Sequence, residues 1–331
     1  MDRVRWGIIA TGKIARTFAA DLAITPGAVL AAVGSRRIES ARAFADEFGS
    51  RDGDTRAYGS YDEVAADPDV DVIYVATPHA FHVDHVQLCF AHAKAVLCEK
   101  PVTLNAADAE ILVQEARRRG HFFMEAMWMR CNPAIRAAVD LVASGAIGSV
   151  THVSADFGFV PNQPPGHRLF DPALGASALL DIGIYPLTFA SLFLGTPASL
   201  TSVGTLSDRG IDLSCASLLT YGDGATAVLT CTMLADTPSR AAVSGTLGHV
   251  EFSRRFHCPT GYTVTTAAGE TSYEHQTLGN GYVDEIEEVQ RCLRAGLPES
   301  PLVPLDDTLS LMRQLDQIRK QIGTRLPGDE N

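Results

Sequence analysis

Two short stretches carry residue types that could move a proton. The first is Glu99-Lys100-Pro101, which closes the apolar run Ala95-Val96-Leu97-Cys98. Such a run reads as a strand buried on both faces, and Pro101 stops it by removing a backbone donor. Lys100 is then expected at the strand's carboxyl end, where open α/β sheets bind their ligands. A lysine there can hold a hydroxyl or carbonyl oxygen and lower the pKa of a neighbouring acid. The second stretch is Leu180-Asp181-Ile182-Gly183-Ile184-Tyr185-Pro186. Asp181 and Tyr185 are four apart, so on a helix they share a face. Gly183 between them is expected to leave room for a close neighbour, a cofactor or substrate.

A third stretch suggests what that neighbour is. Val4 to Ile9 is apolar apart from Arg5, and Ala10-Thr11-Gly12-Lys13-Ile14-Ala15 then opens a helical segment. This is strand, tight turn, helix, with Ala10, Gly12 and Ala15 in the three places of the Gly-x-Gly-x-x-Gly/Ala dinucleotide pattern. Gly12 lets the backbone approach a pyrophosphate at the helix N-terminus. The next buried run, Ala28 to Val33, ends at Gly34-Ser35-Arg36-Arg37. An NAD site would place an acid here for the ribose 2′-hydroxyl, whereas a hydroxyl and two guanidiniums suit the 2′-phosphate of NADP. NADP is therefore expected over NAD. A tyrosine hydroxyl, with a pKa of about 10, needs a cation beside it to serve as a base near neutrality. Lys100 is the candidate cation for Tyr185, and Asp181 could orient the lysine or bind a substrate hydroxyl. Such a pair beside a nicotinamide is a proton relay for hydride transfer at a carbinol carbon.

His79, His82 and His85 are spaced by three, which raises a metal reading. No thiolate partner is near and Asp84 falls on another face, so no metal is expected. His79 or His82 is instead expected on the nicotinamide side of a cleft, with a helix-start histidine satisfied by backbone as the other reading. The seven cysteines are scattered without a Cys-x-x-Cys pair, as for small buried hydrophobes in a reducing compartment. With a net charge of −12, neither nucleic acid nor an anionic membrane is an expected partner. The N-terminus runs straight into a strand without a signal-peptide core, and no stretch reads as long enough to span a bilayer, so the expected location is cytoplasmic.

Several elements must position these residues. Strands at Val4–Ile9, Ala28–Val33, Arg56–Tyr58, Val70–Ala76, Ala95–Cys98 and Phe122–Met124 alternate with helices, including Ala106–Arg119 capped by Asn105. That alternation predicts a doubly wound parallel sheet of the Rossmann kind over residues 1–124. After Glu125 the pattern changes. Strands run from Val150–Phe159 to Tyr262–Thr266, and helices at Tyr282–Ala295 and Leu305–Ile322 follow. Residues 125–331 are therefore expected to form an α+β domain with a large, mostly antiparallel, open sheet. Pro327 to Asn331 reads as a loose end.

The chain resembles the Gfo/Idh/MocA family of NAD(P)-dependent oxidoreductases along essentially its whole length. The matching motifs are Gly7 to Ala15, Thr77-Pro78 with His82, Glu99-Lys100-Pro101, Glu125-Ala126 with Arg130 and Pro133, and Leu180 to Pro186. Within it, Arg5-Trp6-Gly7, Met124-Glu125-Ala126-Met127-Trp128 and Ser35-Arg36 are similar to the dimeric dihydrodiol dehydrogenases and NADP-dependent D-xylose dehydrogenases. The resemblance implies Lys100 and Tyr185 as catalytic pair with Asp181 as helper, and homodimerisation or higher association through the open face of the second sheet. The departures are Ala10 for a glycine and Gly175-Ala176-Ser177 where three glycines are common.

The expected activity is NADP-dependent hydride transfer at a carbinol or carbonyl carbon of a sugar, cyclic polyol or trans-diol. The cofactor is expected to meet Ala10, Thr11, Gly12, Lys13, Ile14, Ser35, Arg36, Arg37, Thr77, Pro78, His79, His82, Glu99, Lys100, Trp128 and Arg130. The substrate is expected among Lys100, Trp128, Phe157, Phe159, Arg168, Asp181 and Tyr185. The rival readings are a nicotinamide-dependent glycosidase of the same family and a non-catalytic NADP-binding sugar regulator.

Overall fold

The structure, a computed structural model, describes residues 3–49, 55–164 and 166–329. In chain order the first elements are β1 (Val4–Ile9), α1 (Lys13–Leu22), β2 (Ala28–Gly34), α2 (Ile38–Phe48), β3 (Arg56–Tyr58), α3 (Tyr61–Ala66), β4 (Val72–Val75), α4 (His82–Ala91), β5 (Ala95–Glu99), α5 (Ala106–Arg119) and β6 (Phe123–Ala126). Then come α6 (Pro133–Ala143), β7 (Val150–Gly158), α7 (Ile184–Leu194), β8 (Ser199–Leu206), β9 (Asp212–Thr220), β10 (Thr226–Thr232), β11 (Ala241–Gly245), β12 (Gly248–Phe252), β13 (Gly261–Thr266), β14 (Gly269–Glu274), α8 (Val283–Arg294) and α9 (Leu305–Ile322). The α/β class and both sheets are as the sequence leads one to expect.

The chain divides into two compact units. The first is Met1–Cys131 with Thr277–Leu309, and the second is Asn132–Gln276 with Ser310–Asn331. The break expected at 124/125 thus falls at 131/132, and a C-terminal stretch assigned to the second domain packs with the first unit instead. The reason lies in α8. Its buried face (Val283, Ile286, Val289, Cys292) lies on α1 and on the turn Trp128–Cys131.

In the first unit a six-stranded parallel sheet has the order β3-β2-β1-β4-β5-β6. β1 and β4 are central, and every residue of them is buried except Arg5, which is half-buried, as strands covered on both faces require. Asn105 caps α5 by accepting from the Asp108 amide at 2.8 Å. Arg117, Arg118 and Arg119 sit in that helix's last turn, facing its dipole, before Gly120 at φ +67°.

In the second unit eight strands have the order β14-β13-β12-β11-β7-β10-β9-β8. All pairs are antiparallel except β7–β10. One face is covered by α7, which packs on β7, β10 and β11. On the other face Val203, Leu218 and Val228 are exposed. β14 was not foreseen: Gly269–Glu274 is exposed at every residue and so carries no apolar alternation.

Two further expectations change. The apolar segment Pro172–Leu194 does have the length and hydropathy of a membrane span. Its apolar 18-residue window is, however, 72% buried within the protein, as in a core helix. The loose C-terminus is tied as far as residue 329, since Asp329 accepts from the buried Arg319 at 2.7 Å. Residues 330 and 331 lie outside the described residues.

Candidate active site

The motifs of the first unit meet along one edge of its sheet. β1, β2, β4, β5 and β6 are parallel, so their carboxyl ends carry Ala10–Gly12, Ser35–Arg37, Thr77–His79, Lys100–Pro101 and Met127–Trp128 side by side. β1 and β2 are direct neighbours, with Ile9 opposite Gly34. Ala10 has φ +82°, a conformation that normally selects glycine. The departure from the dinucleotide pattern therefore keeps the turn's backbone shape and bears its strain. At Gly12 an added Cβ would meet nothing within 4 Å, so the start of α1 is open. α1 has no side-chain cap and no acidic residue in its first turn. Its amides, with the exposed Lys13, Arg36 and Arg37, form a setting for phosphates. The donor set fits a dinucleotide.

Behind this edge the carboxylates hold the Lys100 turn. Glu99 takes the Tyr74 hydroxyl on one oxygen and the Lys100 amide on the other, at 3.2 Å. Glu125 accepts from the Val102 amide at 3.0 Å and the Thr308 hydroxyl at 3.0 Å. The amides on both sides of Pro101 are thereby gripped, while Lys100 itself is only half-buried. Burial pushes the Glu125 carboxyl up to about 6, against the hydrogen bonds of Thr308 and Val102. Arg130 donates to the Leu302 carbonyl at 2.7 Å and pairs with Asp307. Trp128 stacks on Tyr282 with centroids 4.8 Å apart.

The three histidines lie close together, the His79 and His82 rings 5.7 Å apart centroid to centroid, but His82 and His85 each have their own polar partners. His79 lies in a 3-10 turn, His79–Phe81, ahead of α4. His85 approaches the Thr77 hydroxyl at 3.0 Å. His82 is fully buried with both ring nitrogens 2.9 Å from carbonyls, of Pro101 and of Thr77. It is the backbone-satisfied histidine at a helix start and not a cleft wall. Burial lowers its pKa to about 4.

In the second unit, Asp181 and Tyr185 sit on a helix that is widened at its start. Leu179–Gly183 forms one π-helical turn, which runs into α7. Such turns often mark functional sites. Asp212, fully buried on β9, holds the turn by accepting from the Leu179 amide at 2.7 Å. The close neighbour of Gly183 is not a ligand: a Cβ there would lie 2.9 Å from the Cys231 sulfur. The glycine lets the turn settle on β10. Arg168 pairs with Asp181 at 3.4 Å, so this expected pocket wall meets an expected catalytic group. Phe157 lies 5.7 Å from Tyr185 and 6.4 Å from Phe159, centroid to centroid. His257 was missed: it stacks on Phe157 at 4.4 Å and lies 5.2 Å from Tyr185. A lone histidine in an irregular stretch carries no spacing signal, so only the fold shows it.

Comparison with known proteins agrees with this geometry. Residues 4–127 match the oxidoreductase family with an NAD-binding Rossmann fold, and residues 135–251 match the GFO/IDH/MocA C-terminal domain. The chain belongs to the Gfo/Idh/MocA family of oxidoreductases, and it is an NAD(P)-dependent oxidoreductase. Trans-1,2-dihydrobenzene-1,2-diol dehydrogenases from Mus musculus and Homo sapiens are each 37% identical over 99% of both chains. Among solved structures, a 3-ketoreductase from Actinomadura kijaniata in complex with NADP and TDP-benzene superposes with a TM-score of 0.85 at 27% identity, covering 97% of this chain and 98% of that one. An aldose-aldose oxidoreductase from Caulobacter crescentus, complexed with glycerol, gives 0.87 at 25% identity, covering 96% and 97%.

Proposed function

We propose that the chain is an NADP-dependent dehydrogenase or reductase of trans-diols, sugars or other cyclic polyols. The observation that carries the reading is the open start of α1 lying beside Ser35-Arg36-Arg37, with no acid at the end of β2. An acid there would take a ribose hydroxyl, whereas guanidiniums pair with a phosphate. The NADP bound by the Actinomadura relative and the diols named for the mammalian relatives point the same way. When bound, the nicotinamide supplies the hydride acceptor or donor. Ala10 to Ile14 hold the pyrophosphate, Ser35 to Arg37 the 2′-phosphate, and Thr77, Pro78 and His79 the strand edge beside them. Tyr185 moves the carbinol proton, Lys100 supplies the cation that favours its phenolate, and Asp181 holds a substrate hydroxyl. Trp128, Phe157, Phe159, Arg168 and His257 shape the substrate's surroundings.

Nicotinamide absorbance with NADP⁺ or NAD⁺ against aldoses, inositols and trans-diols tests this. Reduction with NADP⁺ is expected, and Tyr185→Phe should cut turnover by roughly 100-fold or more while leaving NADPH binding within about twofold. Undiminished turnover in Tyr185→Phe would refute the assignment. Hydrolysis of an aryl glycoside without net change in NADPH would favour the glycosidase reading. We also infer a homodimer formed through the open sheet face, in a cytoplasmic setting. Across that face Leu218 lies opposite both Thr201 and Val228, and Val203 opposite Ala216, a contiguous apolar patch. Leu218→Lys should give a monomer by light scattering, and an unchanged mass would exclude this interface.

A further inference from the structure

Glu285, in the first turn of α8, is fully buried, and neither carboxylate oxygen has a hydrogen-bond partner among the described residues. Its place in the fold is well defined. Asp21 of α1 fixes the entry to α8 by accepting from the Asn280 and Tyr282 amides, both at 2.9 Å. Tyr282 in turn stacks on Trp128. The charges that act on Glu285 are the carboxylates of Glu99, at the end of β5, and Glu125, on β6. Tyr74 of β4 feels both Glu99 and Glu285. Lys100 and Arg130 face Glu125 from the turn that follows β5 and the turn that follows β6. Cys98 lies beside Glu99 and Glu125. On α8 itself, Glu288 is already held by Arg291 and Ser300.

Three carboxyl groups share this buried space, and three buried anions together are unfavourable. The proton goes to the group whose anion is least stabilised. Glu99 and Glu125 each accept two donors, among them the amides of Lys100 and Val102. Glu285 accepts none, and burial with the two neighbouring anions pushes its carboxyl well above the ordinary range.

We propose that Glu285 is a positioning residue of the oxidoreductase reaction: a buried carboxylic acid that, by staying neutral, leaves Glu99 and Glu125 as the two anions that hold the Lys100 turn. It does not touch the reacting atoms. Its effect passes through Lys100, and so rests on the reading of Lys100 as the catalytic cation. Ionisation of Glu285 would add a third anion, set it against both clamps and loosen the turn.

The test compares wild type with Glu285→Gln, which keeps the shape and cannot ionise. At pH 7 turnover should agree within about twofold, and the alkaline limb of kcat should move up by about one pH unit or more in the variant. Superimposed pH profiles would overturn the proposal. A second measurement does not depend on turnover. Unfolding at pH 7 should release one more proton from wild type than from the variant, because the acid ionises on exposure. Equal release overturns the proposal. Glu285→Met, uncharged and of similar volume, covers failure of the first variant to fold. If neither neutral variant folds, an ionised carboxylate is required and the proposal fails. Wild type without redox turnover on any polyol would sink the functional reading, and the positioning role with it, whatever the proton count.

Discussion

His82 sets an acid limit on the first unit. Its ring spans the Thr77 and Pro101 carbonyls, and so ties the end of β4 to the turn after Lys100. Two effects oppose each other. Two carbonyl acceptors favour an imidazolium, which could donate to both, whereas complete burial favours the neutral ring, which donates to one. Burial wins, and the pKa falls from 6.5 to about 4. A histidine with a depressed folded pKa contributes stability above its unfolded pKa. That stability is lost as the pH falls from 6.5 toward the folded value near 4. At about 1.4 kcal/mol per pKa unit the loss across this window is about 3 kcal/mol. In His82→Gln a neutral amide can donate to one carbonyl at every pH, so this part of the acid sensitivity should vanish. Urea unfolding of both proteins at several pH values from 7 to 4 measures it. The wild-type curve should fall relative to the variant's by about 3 kcal/mol. Parallel curves, or an imidazole proton resonance of His82 that titrates above pH 6.5, would refute the reasoning.

Ala10→Gly should relieve a positive-φ cost of about 1–2 kcal/mol and restore about 0.4–1 kcal/mol of unfolded-chain entropy, for a net gain of up to about 1.6 kcal/mol by denaturant titration; a loss would mean that the turn does not need the left-handed conformation. Asp212→Ala strands the Leu179 amide and should cost about 2–3 kcal/mol, with a raised KM from displacement of Asp181; Asp212→Asn, which can still accept that amide, should recover most of both. Glu125 has its carboxyl pushed up to about 6, so the stability tied to its neutral form is present below its unfolded value of 4.5 and lost as the pH rises through 6. Glu125→Gln should therefore gain up to about 2 kcal/mol on wild type between pH 4.5 and 8, and a flat difference would contradict this.

What could be read in the chain before folding were features that local chemistry decides. The apolar run ending in Glu99-Lys100-Pro101 needs only strand burial to place Lys100 at a sheet edge, and it lies there. The turn at Ala10 to Gly12 was recognisable although one glycine is missing, because the surrounding run and helix set its shape. Asn105 and Gly120 mark the ends of α5 by their own side chain and backbone. What could not be read depends on partners distant in sequence. The periodicity of α8 shows that one face is apolar, and not that it lies on α1 and the Trp128 turn. Gly183 reads as space for a ligand until β10 brings Cys231 against it. His257 and Glu285 gain their significance only from Phe157 and Tyr185, and from Glu99 and Glu125. The widened turn at Leu179–Gly183 has no signature of its own, since its anchor, Asp212, comes some thirty residues later.

The return of Thr277–Leu309 to the first unit bears on how the protein is made. A ribosome releases residues 1–131 early, but that portion lacks Tyr282 to stack on Trp128 and Thr308 to hold Glu125. The nascent dinucleotide-binding unit must wait, incomplete, while the whole eight-stranded sheet is synthesised. The second unit's main segment, Asn132–Gln276, emerges in between, so the usual order of N-terminal domain first is inverted in part. A gene fragment cut after residue 131 would leave the apolar flank of α1 bare, and is best pictured as a client for chaperones.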